Sequence, residues 1–166
     1  MKEGKLQIYC GSGKGKTTAA IGLAIREASR GRSVFVVQFL KGKHPEEISF
    51  IQRLEPEIKM FRFQKREDSF EDLTPQEREE EIPNLRNGLN FAKKVLATGE
   101  CDVLILDEVL GLVEQGIATL DEIHGLLDSA EDTELIFTGI KLCPEMLEWA
   151  DEVYQITALK ETDSAC

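Results

Sequence analysis

The sequence holds little of what marks a stapled, metal-clipped or nucleic-acid-coating protein. It has one tryptophan, two tyrosines and two histidines in 166 residues. Its four cysteines, Cys10, Cys101, Cys143 and Cys166, form no CxxC pair, and His44 and His124 are far apart. That spacing argues against a disulfide framework or a structural zinc site. Bases are also short, with 20 Lys and Arg against 31 Asp and Glu, a net charge of -11. A general nucleic-acid binder needs a basic face for the phosphate backbone, so no nucleic-acid partner is expected. No apolar run approaches the ~20 residues of a membrane helix. The glycine-rich stretch lies too close to Met1 for a signal-peptide pattern before it. The expectation is a cytoplasmic protein with no membrane partner, in one domain spanning residues 1–166.

What the sequence does hold is a regular alternation. Short apolar, β-branched runs at 5–10, 33–39, 58–63, 101–107, 133–138 and 152–157 read as strands. VFVVQF and VLILD are almost continuously apolar, which suits central strands of a parallel sheet covered on both faces. Helical patterns lie between them. TTAAIGLAIREASRG ends at Gly31, a C-terminal glycine. NLRNGLNFAKKVLATG places Leu85, Leu89, Ala92 and Leu96 on one stripe and stops at Gly99. Thr119 with Glu122, and Thr74 with Glu77, form capping boxes, and Pro144 suits a first helical turn. Pro83 is expected to kink or restart its helix. Strand–helix alternation with short connections means α/β with a parallel sheet. Residues 64–83 are crowded with acids and read as a solvated loop leading into a polar helix, or as a lid.

The chemistry is concentrated in CGSGKGKTTAA, residues 10–20. A standard phosphate loop reads G-x-x-x-x-G-K-[ST] and opens a helix after a strand. Gly15, Lys16 and Thr17 fit its end, whereas Cys10 stands where its first glycine belongs. The context is right: KLQIYC as strand, GSGKGK as turn, TTAAIGLAI as helix. Gly11, Gly13 and Gly15 permit backbone conformations that other residues resist, so that loop amides can face phosphate oxygens. Lys16 suits phosphate charge, and the Thr17 hydroxyl suits a magnesium ion. LILDE adds two acids, Asp107 and Glu108, at the carboxyl end of a strand, where ligands gather in open α/β sheets. Such an acid orders magnesium directly or through water.

These blocks together resemble the ATP:corrinoid adenosyltransferases. GSGKGKTTAAIGLA is similar to that family's loop, which also lacks the first standard glycine. VVQFLKG, LILDEV, FTG and PEMLEWADEV resemble further family segments in the same order. The resemblance implies a three-layer phosphate-loop, RecA-like fold with a mainly parallel sheet of about six strands. It implies transfer of the 5′-deoxyadenosyl group of ATP to reduced cobalt of a corrinoid, cob(I)yrinic acid a,c-diamide or cob(I)alamin, with release of triphosphate. ATP with Mg2+ or Mn2+, a corrinoid substrate and a homodimer come with it. By motif, Lys16 and Glu108 are the catalytic candidates. Gly11, Ser12, Gly13, Lys14, Gly15, Lys16, Thr17 and Thr18 bind nucleotide, and Thr17, Asp107 and Glu108 serve the metal.

Departures from the family pattern include two in the interior of the chain. Ile140 stands where the family has the arginine of TGR. FRFQKREDSF lacks the family's tryptophan, with Phe61, Phe63 and Phe70 as the available aromatics. The residues alone also allow a small ATPase or kinase, or a nucleotide-binding regulatory protein. Gln38, Lys41 and Lys43 can reach the site or merely close the sheet and its loops. His44 and His124 read as surface residues without chemistry, and Trp149 as a core or interface residue.

Overall fold

The computed structural model describes residues 5–42 and 45–162. Lys43, His44 and Cys166 fall outside the described residues. Six strands form one sheet: β1 (Leu6–Cys10), β2 (Val34–Gln38), β3 (Ile58–Arg62), β4 (Val103–Asp107), β5 (Glu134–Thr138) and β6 (Glu152–Gln155). Their order is β3-β2-β4-β5-β1-β6, and every neighbouring pair is parallel. Each expected strand is present within two residues of its expected ends. The reason is physical: a parallel strand buried on both faces must be apolar almost throughout, and β2 and β4 are buried at every position.

Six helices connect the strands: α1 (Lys16–Ser29), α2 (Pro45–Gln52), α3 (Pro75–Thr98), α4 (Val109–Glu114), α5 (Leu120–Asp128) and α6 (Pro144–Trp149). Alternate strand residues face opposite layers. Leu104 and Leu106 join Ile8, Val37 and Phe137 in a large core with α3, α4 and α5. Val103 and Ile105 join Val36, Ile136 and the α1 residues Ala20 and Ala24 in a smaller one. Small side chains on α1 let it lie close to the sheet, which brings its N-terminus up to the strand ends. Truncating a fully buried leucine such as Leu106 costs about 2–5 kcal/mol.

Both capping boxes form as expected, Thr74 with Glu77 and Thr119 with Glu122. Gly31 (φ 82°) and Gly99 (φ 63°) adopt the left-handed conformation just past α1 and α3. Pro83 does not restart a helix: α3 runs through it without interruption. A proline forfeits one backbone bond, but the capped first turn and the buried stripe from Leu85 to Leu96 hold the helix on both sides. The solvated-loop reading of 64–83 is half right. Glu67, Asp68, Glu71 and Asp72 are exposed, whereas Phe70 and Leu73 enter the large core. Glu81, itself buried, accepts from the backbone N–H of Lys65 (3.1 Å) and Arg66 (3.0 Å) and so pins the segment to α3. Trp149 packs half-buried on the large core, its ring edge-on to His124 at 4.8 Å.

Candidate nucleotide site at the carboxyl edge of the sheet

A parallel sheet delivers every strand's carboxyl end to one edge. The glycine loop follows β1, the FLKG turn follows β2, Glu108 follows β4, and Gly139 with Ile140 follows β5. The loop needs its glycines for stated reasons. Gly11 has φ 110°, and a Cβ there would sit 2.3 Å from the Ile156 carbonyl oxygen. Gly15, at φ 104°, turns the chain into α1.

The loop amides divide into two groups. Gly11 N–H donates to the Ile140 carbonyl (3.0 Å), and Gly13 N–H donates to that of Ile156 (2.9 Å). The expectation that these two amides face phosphate is therefore corrected. They anchor the loop to the chain leaving β5 and β6, because buried N–H groups take the nearest carbonyls. The first intrahelical bond is Ala19 N–H to Gly15, which leaves the amides of Lys16, Thr17 and Thr18 as the open donors of the first turn. They stand at the positive end of α1. The Lys16 ammonium is buried and folds back on the Gly13 carbonyl at 2.7 Å. Ser12 and Lys14 are exposed on the loop's outer side.

Asp107 is the hub. It is completely buried, and donors surround its carboxylate. Thr17 Oγ1 donates at 2.9 Å, Thr138 Oγ1 at 2.6 Å and Gln38 Nε2 at 3.2 Å. Lys41 Nζ forms an ion pair with it at 3.2 Å and also donates to Thr17 Oγ1. The Thr138 hydroxyl accepts in turn from Glu108 N–H at 2.8 Å. Thr17, Asp107, Thr138 and Glu108 thus form one connected chain. Glu108 is held at φ 65°, unusual for a residue with a side chain. Burial first, and the neighbouring Asp107 charge second, push that carboxyl above the ordinary glutamate range, partly offset by Lys41 and Lys16.

A cavity of about 450 Å³ opens beside this chain. Thr17, Thr18, Gln38, Lys41 and Glu108 line one side, and Leu40, Phe70, Gly111 and Ile140 give it an apolar wall. Ser69, Glu71, Glu114 and Gln115 complete the rim. Of the three candidate aromatics only Phe70 reaches the cavity. Phe61 and Phe63, partly buried, instead pack with tilted rings against Phe91 of α3, centroids 4.6 and 5.4 Å apart. The structure brings Thr17, Thr18, Glu108 and, behind them, Asp107 to the cavity, while the glycines and Lys14 stay on the loop beside it. Sequence reasoning gave no role to Thr138, although a hydroxyl ending the strand next to LILD was its signal. It also missed the walls from Leu40, Glu71, Gly111 and Glu114, which only the fold assembles. Among the described residues, no group of three or more His, Cys, Asp and Glu side chains is placed to hold a metal alone.

Comparison with known proteins identifies the family and the fold. Residues 2–164 match the sequence model of a family described as ATP:corrinoid adenosyltransferase BtuR/CobO/CobP. The corrinoid adenosyltransferase of Escherichia coli K12 is 32% identical over 165 residues, covering 99% of this chain and 82% of that protein. The corrinoid adenosyltransferase CobA of Salmonella typhimurium is 30% identical over the same shares. Among solved structures, the flagellar accessory protein FlaH of Methanocaldococcus jannaschii superposes with a TM-score of 0.59 at 17% identity, covering 92% of this chain and 70% of that one. A KaiC-like protein of Pyrococcus horikoshii gives 0.58 at 16%, covering 95% and 75%. At such identities these two likenesses establish the fold, a RecA-like α/β architecture, and nothing of the activity.

Proposed function

This chain belongs to the ATP:corrinoid adenosyltransferase family, and from that premise we propose how its own residues divide the work of the reaction. The observation that carries the reading is the connected chain Thr17–Asp107–Thr138–Glu108 opening onto a cavity beside a phosphate loop. In the proposed reaction the electron pair of reduced cobalt in the corrinoid forms a bond to C5′ of ATP. The C5′–O bond breaks, and its electron pair leaves on the triphosphate oxygen. The substrate supplies the nucleophile, so the protein needs no catalytic base. Its contribution is to hold the two reactants in line and to stabilise charge on the departing triphosphate.

The amides of Lys16, Thr17 and Thr18, at the positive end of α1, are the donors for that charge. The Lys16 ammonium exchanges the Gly13 carbonyl for phosphate oxygens when nucleotide binds. A divalent cation, Mg2+ or Mn2+, fits the donor set, because Thr17 Oγ1 and the two acids are hard oxygen ligands and a cation, Lys41, already sits against Asp107 and Thr17. Thr17 and Glu108 would hold it with phosphate and water, and it would neutralise part of the triphosphate charge. Asp107 orients Thr17 from behind. Phe70, Leu40 and Ile140 form the apolar wall against which a flat corrinoid face can lie. The homodimer implied by the resemblance is carried as part of the same proposal, and sedimentation equilibrium tests it.

The decisive experiment is anaerobic incubation with ATP, magnesium and chemically reduced corrinoid, followed by identification of products. Adenosylated corrinoid with intact triphosphate supports the reading. ADP and phosphate would place cleavage at the γ-phosphorus instead, and nucleotide binding without turnover would point to a regulatory role. Lys16→Ala is expected to abolish turnover or tight ATP binding; unchanged activity would show the site to be misplaced.

A further inference from the structure

Lys41 lies in a position that the proposed reaction does not explain. Its ammonium sits 3.2 Å from Asp107 Oδ2 and donates to Thr17 Oγ1. These are oxygens that the site reading above gives to a divalent cation or to orienting its ligand. Among the described residues Asp107 has no other ion-pair partner, and it is completely buried. A buried carboxylate without a nearby cation is costly, so a positive charge at this point has a structural reason. The contested atom is Thr17 Oγ1, because an ammonium and a metal ion cannot both sit on it at contact distance.

The backbone under Lys41 is held by contacts of its own, separate from those of its ammonium. Leu40 is held at φ 62° with its carbonyl accepting from Phe70 N–H at 2.9 Å. The Lys41 carbonyl accepts from Arg62 Nη2 at 2.8 Å, and Gly42 N–H donates to Ser69 Oγ at 3.2 Å. Three consecutive residues are therefore tied to the last residue of β3 and to the segment that follows it. The four-carbon stem can swing into the cavity, which it already lines, without disturbing the turn.

We propose that Lys41 is a resident counter-cation of the Asp107–Thr17 pair, exchanged for the divalent cation when the metal–nucleotide complex binds. The inference rests on the site reading given above. It makes metal binding and nucleotide binding mutually dependent. Metal alone must displace Lys41 into an empty cavity, whereas metal with nucleotide offers the displaced ammonium a phosphate partner. Lys41 acts here as a positioning residue for charge, not as a group that meets the reacting atoms.

The test uses the full chain and Mn2+ without nucleotide, read by the electron paramagnetic resonance signal of the free ion. Lys41→Met should bind Mn2+ about tenfold or more tightly than wild type, because the competing charge is gone. Lys41→Arg, which keeps the charge, should stay near wild type. Lys41→Met should also melt at a lower temperature than wild type without metal and recover on adding Mn2+. Equal or weaker Mn2+ binding by a folded Lys41→Met protein overturns the proposal. If that variant is too unstable to titrate, Lys41→Gln makes the same comparison, since it removes the charge and keeps a polar end for Asp107. Loss of this effect in a protein that still adenosylates corrinoid sinks the inference alone. Its presence in a protein that does not adenosylate corrinoid leaves the inference standing and sinks the functional reading.

Discussion

Replacing Thr138 by valine removes one oxygen and keeps the shape, so it isolates what that hydroxyl does. Thr138 is completely buried at the end of β5. Its hydroxyl donates to Asp107 at 2.6 Å and accepts from Glu108 N–H at 2.8 Å. A hydrogen bond to a charged group contributes about 1.5–3 kcal/mol, and an orphaned buried N–H costs about 1–3 kcal/mol. Asp107 keeps donors from Thr17, Gln38 and Lys41, which softens the first loss. The two losses also share one atom and do not simply add. A net cost of about 3 kcal/mol follows, and for a chain of this length that is a fall in Tm of roughly 6–12 °C. Thr138→Ser keeps the hydroxyl and loses only a methyl group, at about 1 kcal/mol. Urea unfolding of the three proteins measures the difference. If the valine variant is no less stable than the serine variant, the hydrogen-bond chain has been wrongly assigned. Activity supplies a second readout: freeing Glu108 N–H loosens the carboxyl that the chain aims, so valine should lower turnover more than serine does.

Three further outcomes follow from the same geometry. Glu108→Gln should raise stability at pH 7 in the absence of nucleotide and metal. A carboxyl whose folded pKa is raised adds stability below its unfolded value, and that stability is lost as pH rises through the folded value. The gain should therefore shrink as pH falls toward about 4.3, the unfolded glutamate value, and a pH series of melting curves checks it. Glu122 behaves oppositely: the Arg86 guanidinium, 2.5 Å away, and then the capping-box amide of Thr119 hold its carboxyl down at about 2. Its contribution is present above the ordinary carboxylate range and lost as pH falls toward about 2. Arg86→Met should thus cost about 1 kcal/mol at neutral pH, because the pair is partly exposed, and progressively less in acid unfolding experiments. Gly11→Ala sets a Cβ against the Ile156 carbonyl at a φ of 110°. It should cost at least ~2 kcal/mol and weaken ATP binding, measured by calorimetry; a variant as stable as wild type would show that the loop relaxes freely.

The sheet was legible because parallel strands buried on both faces leave a plain mark, and VFVVQF and VLILD carry it. Both capping boxes were legible because each is a local bond between residues three apart. α4 was not. VLGLVE is short, apolar up to its last residue and interrupted by Gly111, so it has no period to read, and it forms because Leu110 and Leu112 fill the core. The continuity of α3 through Pro83 was likewise a tertiary outcome, since propensity alone favours a break there. Of the site, the glycine loop and the LDE acids stood out because each is a contiguous string with a mechanism.

The cavity walls were invisible for a different reason: they come from the turn after β2, the segment after β3, α4 and the turn after β5, which only the strand order brings together. The backbone marks the same place. Among the described residues the non-glycine positions with positive φ are Leu40 and Glu108, and both line the cavity. Strain of this kind persists only where surrounding contacts over-determine it. Leu40 is held by the Phe70 amide and by its close approach to Gly111, and Glu108 by Thr138. Those constraints aim Lys41 and Glu108 at one point from two neighbouring strands, β2 and β4, whose ends are in register at Gln38 and Asp107. A sequence states that a lysine and a glutamate exist. The register of two parallel strands makes them face the same cavity, and that is why the acids were readable in advance while the lysine opposite them kept two readings, site or solvated loop.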